Sequence, residues 1–177
     1  MDPTTAGSEA DRAAPSRLPD TSREAELAAR APLEEFRDRL AAVDLGGLNA
    51  EERLNHALLT RSVALDLERI ELDQGRLAFD SEGGVETLAG YLASSTRIAT
   101  RADAEAWLAR LDGLSTLYDN ALADARRGIE TGMVQPRIIA DRVVTSTAAA
   151  AAFSPADDPL LRPFAQRPAA ISEADWA

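Results

Sequence analysis

Cysteine is absent from the 177 residues and histidine occurs once, as His56. Without a thiol, disulfides, thiolate metal sites and cysteine nucleophiles are all excluded. A catalytic zinc needs three protein ligands and an open position, and His56 has no second imidazole to join it. Glu52 and His56 lie one helical turn apart, yet two donors do not make such a site, so His56 reads as a partly buried or surface imidazole. Serine catalysis finds no Gly-x-Ser-x-Gly elbow and only His56 as an imidazole base. No stretch is apolar enough to span a bilayer, and the first residues, Met1-Asp2-Pro3-Thr4-Thr5, lack a basic segment followed by an apolar one. The expected compartment is the cytoplasm, with no membrane partner.

Aromatic residues make up only 5% of the chain, against 45% for hydrophobic residues as a whole. The core must therefore come from Ala, Leu, Ile and Val, which suits closely packed helices better than a sheet. The expected fold is all-α, an antiparallel bundle of about five to six helices. A chain of this length buries roughly 70% of the surface its unfolded form exposes, enough for one domain with tails. The formal charge is -11 with a pI near 4.6, a field that repels phosphate backbones and anionic lipid, so nucleic acid is excluded as a partner. Every basic side chain apart from His56 is Arg, a bias assigned to a GC-rich genome rather than to forked guanidinium chemistry.

Residues 1–19 mix Pro3, Pro15 and Pro19 with Gly7, Ser8 and scattered charges, and read as a disordered arm. The helical domain follows over 20–153. Asp20, Thr21 or Ser22 caps a helix towards Val43, with Leu27, Leu33, Phe36, Leu40 and Val43 as its buried stripe and Pro32 as a kink or division. After Gly46-Gly47, Asn49 and Glu52 form a capping box. The next helix reaches Asp73 to Phe79, and its wide apolar face of Leu54, Leu58, Leu65 and Leu72, with Val63, Leu67 and Ile70 beside it, is expected to touch neighbours on both flanks.

Residues 80–84 read as a loop, and Val85, Leu88, Tyr91 and Leu92 as a short helix broken at Ser94-Ser95-Thr96. Thr100 caps a long helix whose heptad set is Leu108, Leu111, Ser115, Tyr118, Leu122, Ala125 and Ile129, widened by Trp107, Leu114 and Leu117. Asp112-Gly113 is expected to kink or split it. Gly132 closes it in the left-handed conformation, Arg126 and Arg127 complement its negative end, and Pro136 fits the first turn of the next helix. That helix carries Ile138, Ile139, Val143 and Val144 and then Ala148 to Ala152. Residues 154–177, with Pro155, Pro159, Pro163 and Pro168, read as an extended tail.

Three further constellations bear on chemistry. Arg126, Arg127 and Arg137 flank a helix start and form a weak anion-site candidate, against the plainer reading of helix-end complementarity and local ion pairs. Neighbouring carboxylates such as Glu51 and Glu52, or Asp157 and Asp158, point about 100° apart on a helix and do not converge on one bond. Trp107, Tyr91 and Tyr118 could line a pocket, but at helical spacing among leucines they read as core. No catalytic, cofactor-binding or metal-binding residue emerges, and no cofactor is implied by the chain's own residues.

Three blocks carry a family resemblance. They are Leu48-Asn49-Ala50-Glu51-Glu52-Arg53-Leu54-Asn55, then Thr100 through Leu111, and, most specific, Arg126-Arg127-Gly128-Ile129-Glu130-Thr131-Gly132-Met133-Val134-Gln135-Pro136-Arg137. In these the chain resembles the bacterial family catalogued as domain of unknown function eight-eight-five, over about Leu18 to Ile171 and including Pro163-Phe164-Ala165. Members are longer and look like helical zinc metallopeptidases with a His-Glu-x-x-Pro-Gly-His motif in the C-terminal half, which this chain lacks. The resemblance implies an N-terminal helical region forming one wall or lid of a substrate cleft, without catalysis of its own, present here through truncation, a split gene or a fragment. Such a region is expected to expose apolar surface and to form a homo-oligomer or pair with the missing C-terminal half.

Overall fold

The computed structural model of the chain describes residues 16–80 and 82–176. Among them there is no strand, and the chain runs as helices α1 (Arg23–Ala28), α2 (Arg30–Ala41), α3 (Ala50–Glu71), α4 (Val85–Ser95), α5 (Arg101–Thr131), α6 (Arg137–Ala151) and the single turn α7 (Glu173–Trp176). Three 3-10 segments, Leu45–Gly47, Gln74–Leu77 and Pro159–Phe164, sit between them. The all-α bundle is as expected.

The helix starts follow from their caps. The Ser22 hydroxyl accepts from the Ala25 amide ahead of α1. Capping boxes open α3, through Asn49 and Glu52, and α5, through Thr100 and Asp103, each satisfying two amides that would otherwise lack partners. Pro32 does divide the first helical stretch: it sits in the first turn of α2 and has no N–H to offer the carbonyl four residues back, at the end of α1. The hydroxyls of Ser94, Ser95 and Thr96 turn back onto the carbonyls of Tyr91 and Leu92 and end α4. Gly132 closes α5 at φ 75, as expected. Pro136 stands one place ahead of the first turn of α6 and starts it from an extended conformation.

Several expectations are corrected. Of the expected disordered arm of residues 1–19, residues 1–15 lie outside the described residues, and the last part is packed: Leu18 joins the core around Trp107. Helix α3 ends at Glu71, well before Phe79, because Asp73 adopts the left-handed conformation at φ 52 and turns the chain into the Gln74–Leu77 segment. Helix α5 runs unbroken through Asp112-Gly113. There the glycine serves close approach, since a Cβ on Gly113 would lie 3.3 Å from Leu18. The tail is not extended, for Pro159–Phe164 coils against α4 and Ile171 is buried.

The core centres on Leu92 and Ala93 of α4 and Trp107 of α5, with Leu88, Leu111, Leu160 and Phe164 against them. Trp107 is only 2% exposed, and its indole N–H donates to the Leu160 carbonyl at 3.0 Å, so the ring pins the tail to the bundle. The buried line of α5 is Trp107, Leu117, Ala121, Asp124 and Gly128. It is rotated by one residue from the expected heptad, whose Leu108, Leu122 and Ile129 are exposed. Small residues win the inward face where another backbone lies close: a Cβ on Gly128 would meet the Met133 carbonyl oxygen at 2.6 Å and that of Arg76 at 3.1 Å. On α3 only Val63 and Ile70 are buried, and Leu54, Leu58, Leu65 and Leu72, expected to face neighbours, are exposed.

His56 ties α3 to the end of α2. Its Nε2 lies 2.9 Å from the Leu40 carbonyl oxygen, which fixes the Nε2–H tautomer as donor. His56→Ala should cost about 0.5–1.5 kcal/mol, the usual net worth of one such bond. Urea unfolding of the variant against the parent measures it, and an unchanged midpoint would show that the bond contributes nothing.

Candidate functional site

Polar chemistry concentrates where the left-handed turn at Asp73 lies against the C-terminal third of α5. Asp73 receives three guanidiniums. Arg127 donates to it in bidentate fashion, Nε to Oδ2 at 2.9 Å and Nη2 to Oδ1 at 2.8 Å. Arg23 of α1 approaches Oδ1 to 3.0 Å and Arg76 approaches Oδ2 to 3.2 Å. The remaining Arg127 nitrogen, Nη1, donates to Asp124 Oδ1 at 2.6 Å, and Asp124 is only 6% exposed. Arg23 also pairs with Glu26. Three carboxylates, Asp73, Asp124 and Glu26, thus meet three guanidiniums, Arg23, Arg76 and Arg127, and the cluster carries no surplus charge.

The backbone around this cluster is held by the same arginines. Arg76 donates to the carbonyls of Leu72 and Asp73 and to the Thr131 hydroxyl, so one side chain closes the end of α3 onto the last turn of α5. Gln135 extends the contact by donating from Nε2 to the Phe79 carbonyl at 2.9 Å. The Arg127 hydrogen bonds hold the Asp73 carboxyl below its ordinary pKa, against an opposing push from burial, with the charges of Arg127, Arg23 and Arg76 adding to the effect. The reciprocal hydrogen bond to Asp73 raises Arg127. Beside the cluster opens a cleft of about 530 Å³ bordered by Glu26, Gly75, Gly84, Leu88, Leu117 and Asp124. A bidentate, paired geometry of this kind fixes elements in place; Arg127 is committed to Asp73 and Asp124, and the arginine that borders the cleft is Arg69, 3.6 Å from Asp66.

The three arginines singled out from the sequence go separate ways. Arg127 turns inward to Asp73 and Asp124. Arg126 is exposed on the preceding position of the helix. Arg137 has a side chain 93% exposed and a neighbour in Asp141 at 3.4 Å, which matches the plainer reading of local pairing. Trp107 is core, Tyr91 is exposed, and Tyr118 is half-buried, with burial and then the Glu86 carboxylate pushing its phenol above its ordinary pKa. Sequence reading missed Asp73, Arg76 and Arg23. The usable signal was local: Asp tolerates the left-handed conformation, and Asp124 and Arg127 at i, i+3 share a helix face.

The residues present do not fit a zinc centre. The one imidazole is engaged with the Leu40 carbonyl, and Glu52, one turn before it, is held in the capping box of α3. Among the described residues no group of three or more His, Asp or Glu side chains is placed to hold a metal ion. No helix among them is long and apolar enough to cross a membrane.

No curated protein and no solved structure matches the chain. A family model does, over residues 2–177, and its description is "Bacterial protein of unknown function (DUF885)". That span includes all three sequence blocks quoted above as well as the packed tail. The chain therefore belongs to this bacterial family of unknown function.

Proposed function

We propose that the chain is a non-catalytic helical region of a metallopeptidase-like protein, a wall that packs against a zinc-bearing half carrying the hydrolytic residues. The commitment of its one imidazole to a backbone carbonyl carries this reading, because zinc hydrolysis needs several free donors around one cation. Support of a different kind comes from an apolar groove of about 240 Å³ between the end of α5 and α6, where Ile129, Val134 and Val144 lie open. The purified chain, assayed on mixed peptide substrates with added zinc, should give no turnover. Turnover that disappears on chelation overturns the reading.

A second reading, a helical module that associates with itself, is favoured by the outer leucines of α3. It is compatible with the first, since a wall can also be a dimer.

A further inference from the structure

Helix α3 is apolar on two opposite sides. Val63 and Ile70 face inward. At 100° per residue, Leu54, Leu58, Leu65 and Leu72 fall within about 40° of one another on the far side, as a stripe about 27 Å long. All four are exposed, from 42% at Leu65 to 60% at Leu54. Arg61 and Glu68 lie on the same stripe, both exposed, and neither forms an ion pair with another described residue. The six positions alternate at spacings of four and three, the a and d pattern of a two-helix seam.

We propose that this outer face of α3 is a homodimer seam, on which a second copy of the chain lies antiparallel. The charges select both the occupant and its direction. A parallel copy would set Arg61 against Arg61 and Glu68 against Glu68, stacking like charges on each other. An antiparallel copy with its two-fold axis at Val63 matches every layer of the seam: Leu54 meets the partner's Leu72, Leu58 meets the partner's Glu68, and Arg61 meets the partner's Leu65. Arg61 then stands one layer, about 4.5 Å along the axis, from the partner's Glu68. Two long side chains span that distance, and the symmetry makes the pair twice. Leucine layers close both ends and screen the two ion pairs from water. A chain with a formal charge of -11 repels its own copies at long range, so a stable contact needs complementarity of this local kind.

The dimer deepens the self-association reading and stands apart from the peptidase reading, since a monomer without hydrolytic activity would remove only the dimer. Sedimentation equilibrium across the micromolar range tests it on the full chain, with circular dichroism to establish that each variant is folded. The parent should dimerise. Arg61→Glu places like charges on the seam and should weaken the dimer by roughly tenfold or more. The exchange of both charges, Arg61→Glu with Glu68→Arg, restores opposite signs and should return the dissociation constant to within about threefold of the parent. Leu65→Glu should give a folded monomer. A parent that stays monomeric overturns the proposal. So does a dimer indifferent to Leu65→Glu, or a double exchange that is weaker than Arg61→Glu alone.

Discussion

Replacing Arg127 with alanine should destabilise the fold by about 2–4 kcal/mol at neutral pH, while the neighbouring Arg126→Ala should change it by less than about 0.5 kcal/mol. The difference lies in what each side chain leaves behind. Arg126 is exposed. Arg127 carries three charge-assisted hydrogen bonds to two carboxylates whose side chains are 17% and 9% exposed, those of Asp73 and Asp124. Without it Asp124 is a buried charge with its main partner gone, and Asp73 keeps only Arg23 and Arg76. The sign of the pH dependence follows from Asp73, whose folded pKa is depressed. Such a group contributes stability above its unfolded pKa, and loses it as pH falls through the folded value. The parent should therefore weaken on acidification below the ordinary carboxylate range, and the gap between parent and Arg127→Ala should narrow there. Urea unfolding of parent, Arg126→Ala and Arg127→Ala at neutral pH and along an acid series measures all of this. Equal midpoints for the two variants would show that the cluster contributes no net stability.

Trp107→Ala should have the larger effect, about 3–5 kcal/mol, the usual range for removing a large aromatic side chain from a core. The indole is the most fully buried large side chain of the described residues. It also supplies the hydrogen bond to Leu160, so its removal both opens a cavity between α4 and α5 and releases the carbonyl that holds the tail. Trp107→Phe keeps a ring but removes the donor, and should fall between the parent and alanine. Limited proteolysis gives a local readout: Trp107→Ala should be cut at or near Pro159–Phe164 before the rest of the chain unfolds. A variant that loses less than about 1 kcal/mol and stays uncut there would place the centre of the core elsewhere.

Caps and closers were legible because their chemistry is local. Asn49 with Glu52, Thr100 before its helix and Gly132 after it each specify a boundary through groups three or four residues apart. The burial of faces was not legible from the same rows. On α3 the apolar pattern points to both sides, and nothing in the spacing says that Val63 and Ile70 turn inward while Leu54 and Leu65 turn out. On α5 the apolar pattern points to Leu108, Leu122 and Ile129, whereas the buried line takes in Ala121 and also Gly128, where the Arg76 and Met133 backbone comes close, and such small residues carry little weight in a hydrophobic pattern. The partners of Arg127 were not legible for a related reason. An arginine near a helix end looks available until the carboxylate that claims it, Asp73, is brought in from a distant part of the chain.

That distance shapes how the molecule can assemble. Arg127 and Asp73 are 54 positions apart, while His56 and Leu40 are only 16 apart. Closing the longer loop is entropically the harder step, and contacts of high sequence separation form late. During synthesis from the N-terminus, the α2–α3 hairpin can zip as soon as it emerges, but the left-handed turn after α3 lacks its Arg127 clasp until the far end of α5 has been made. Until then Asp73 has only Arg23 and Arg76 for partners, and the last turns of α5 act as the bolt, bringing the bidentate Arg127 that joins the end of α3 to the far end of the chain's longest helix.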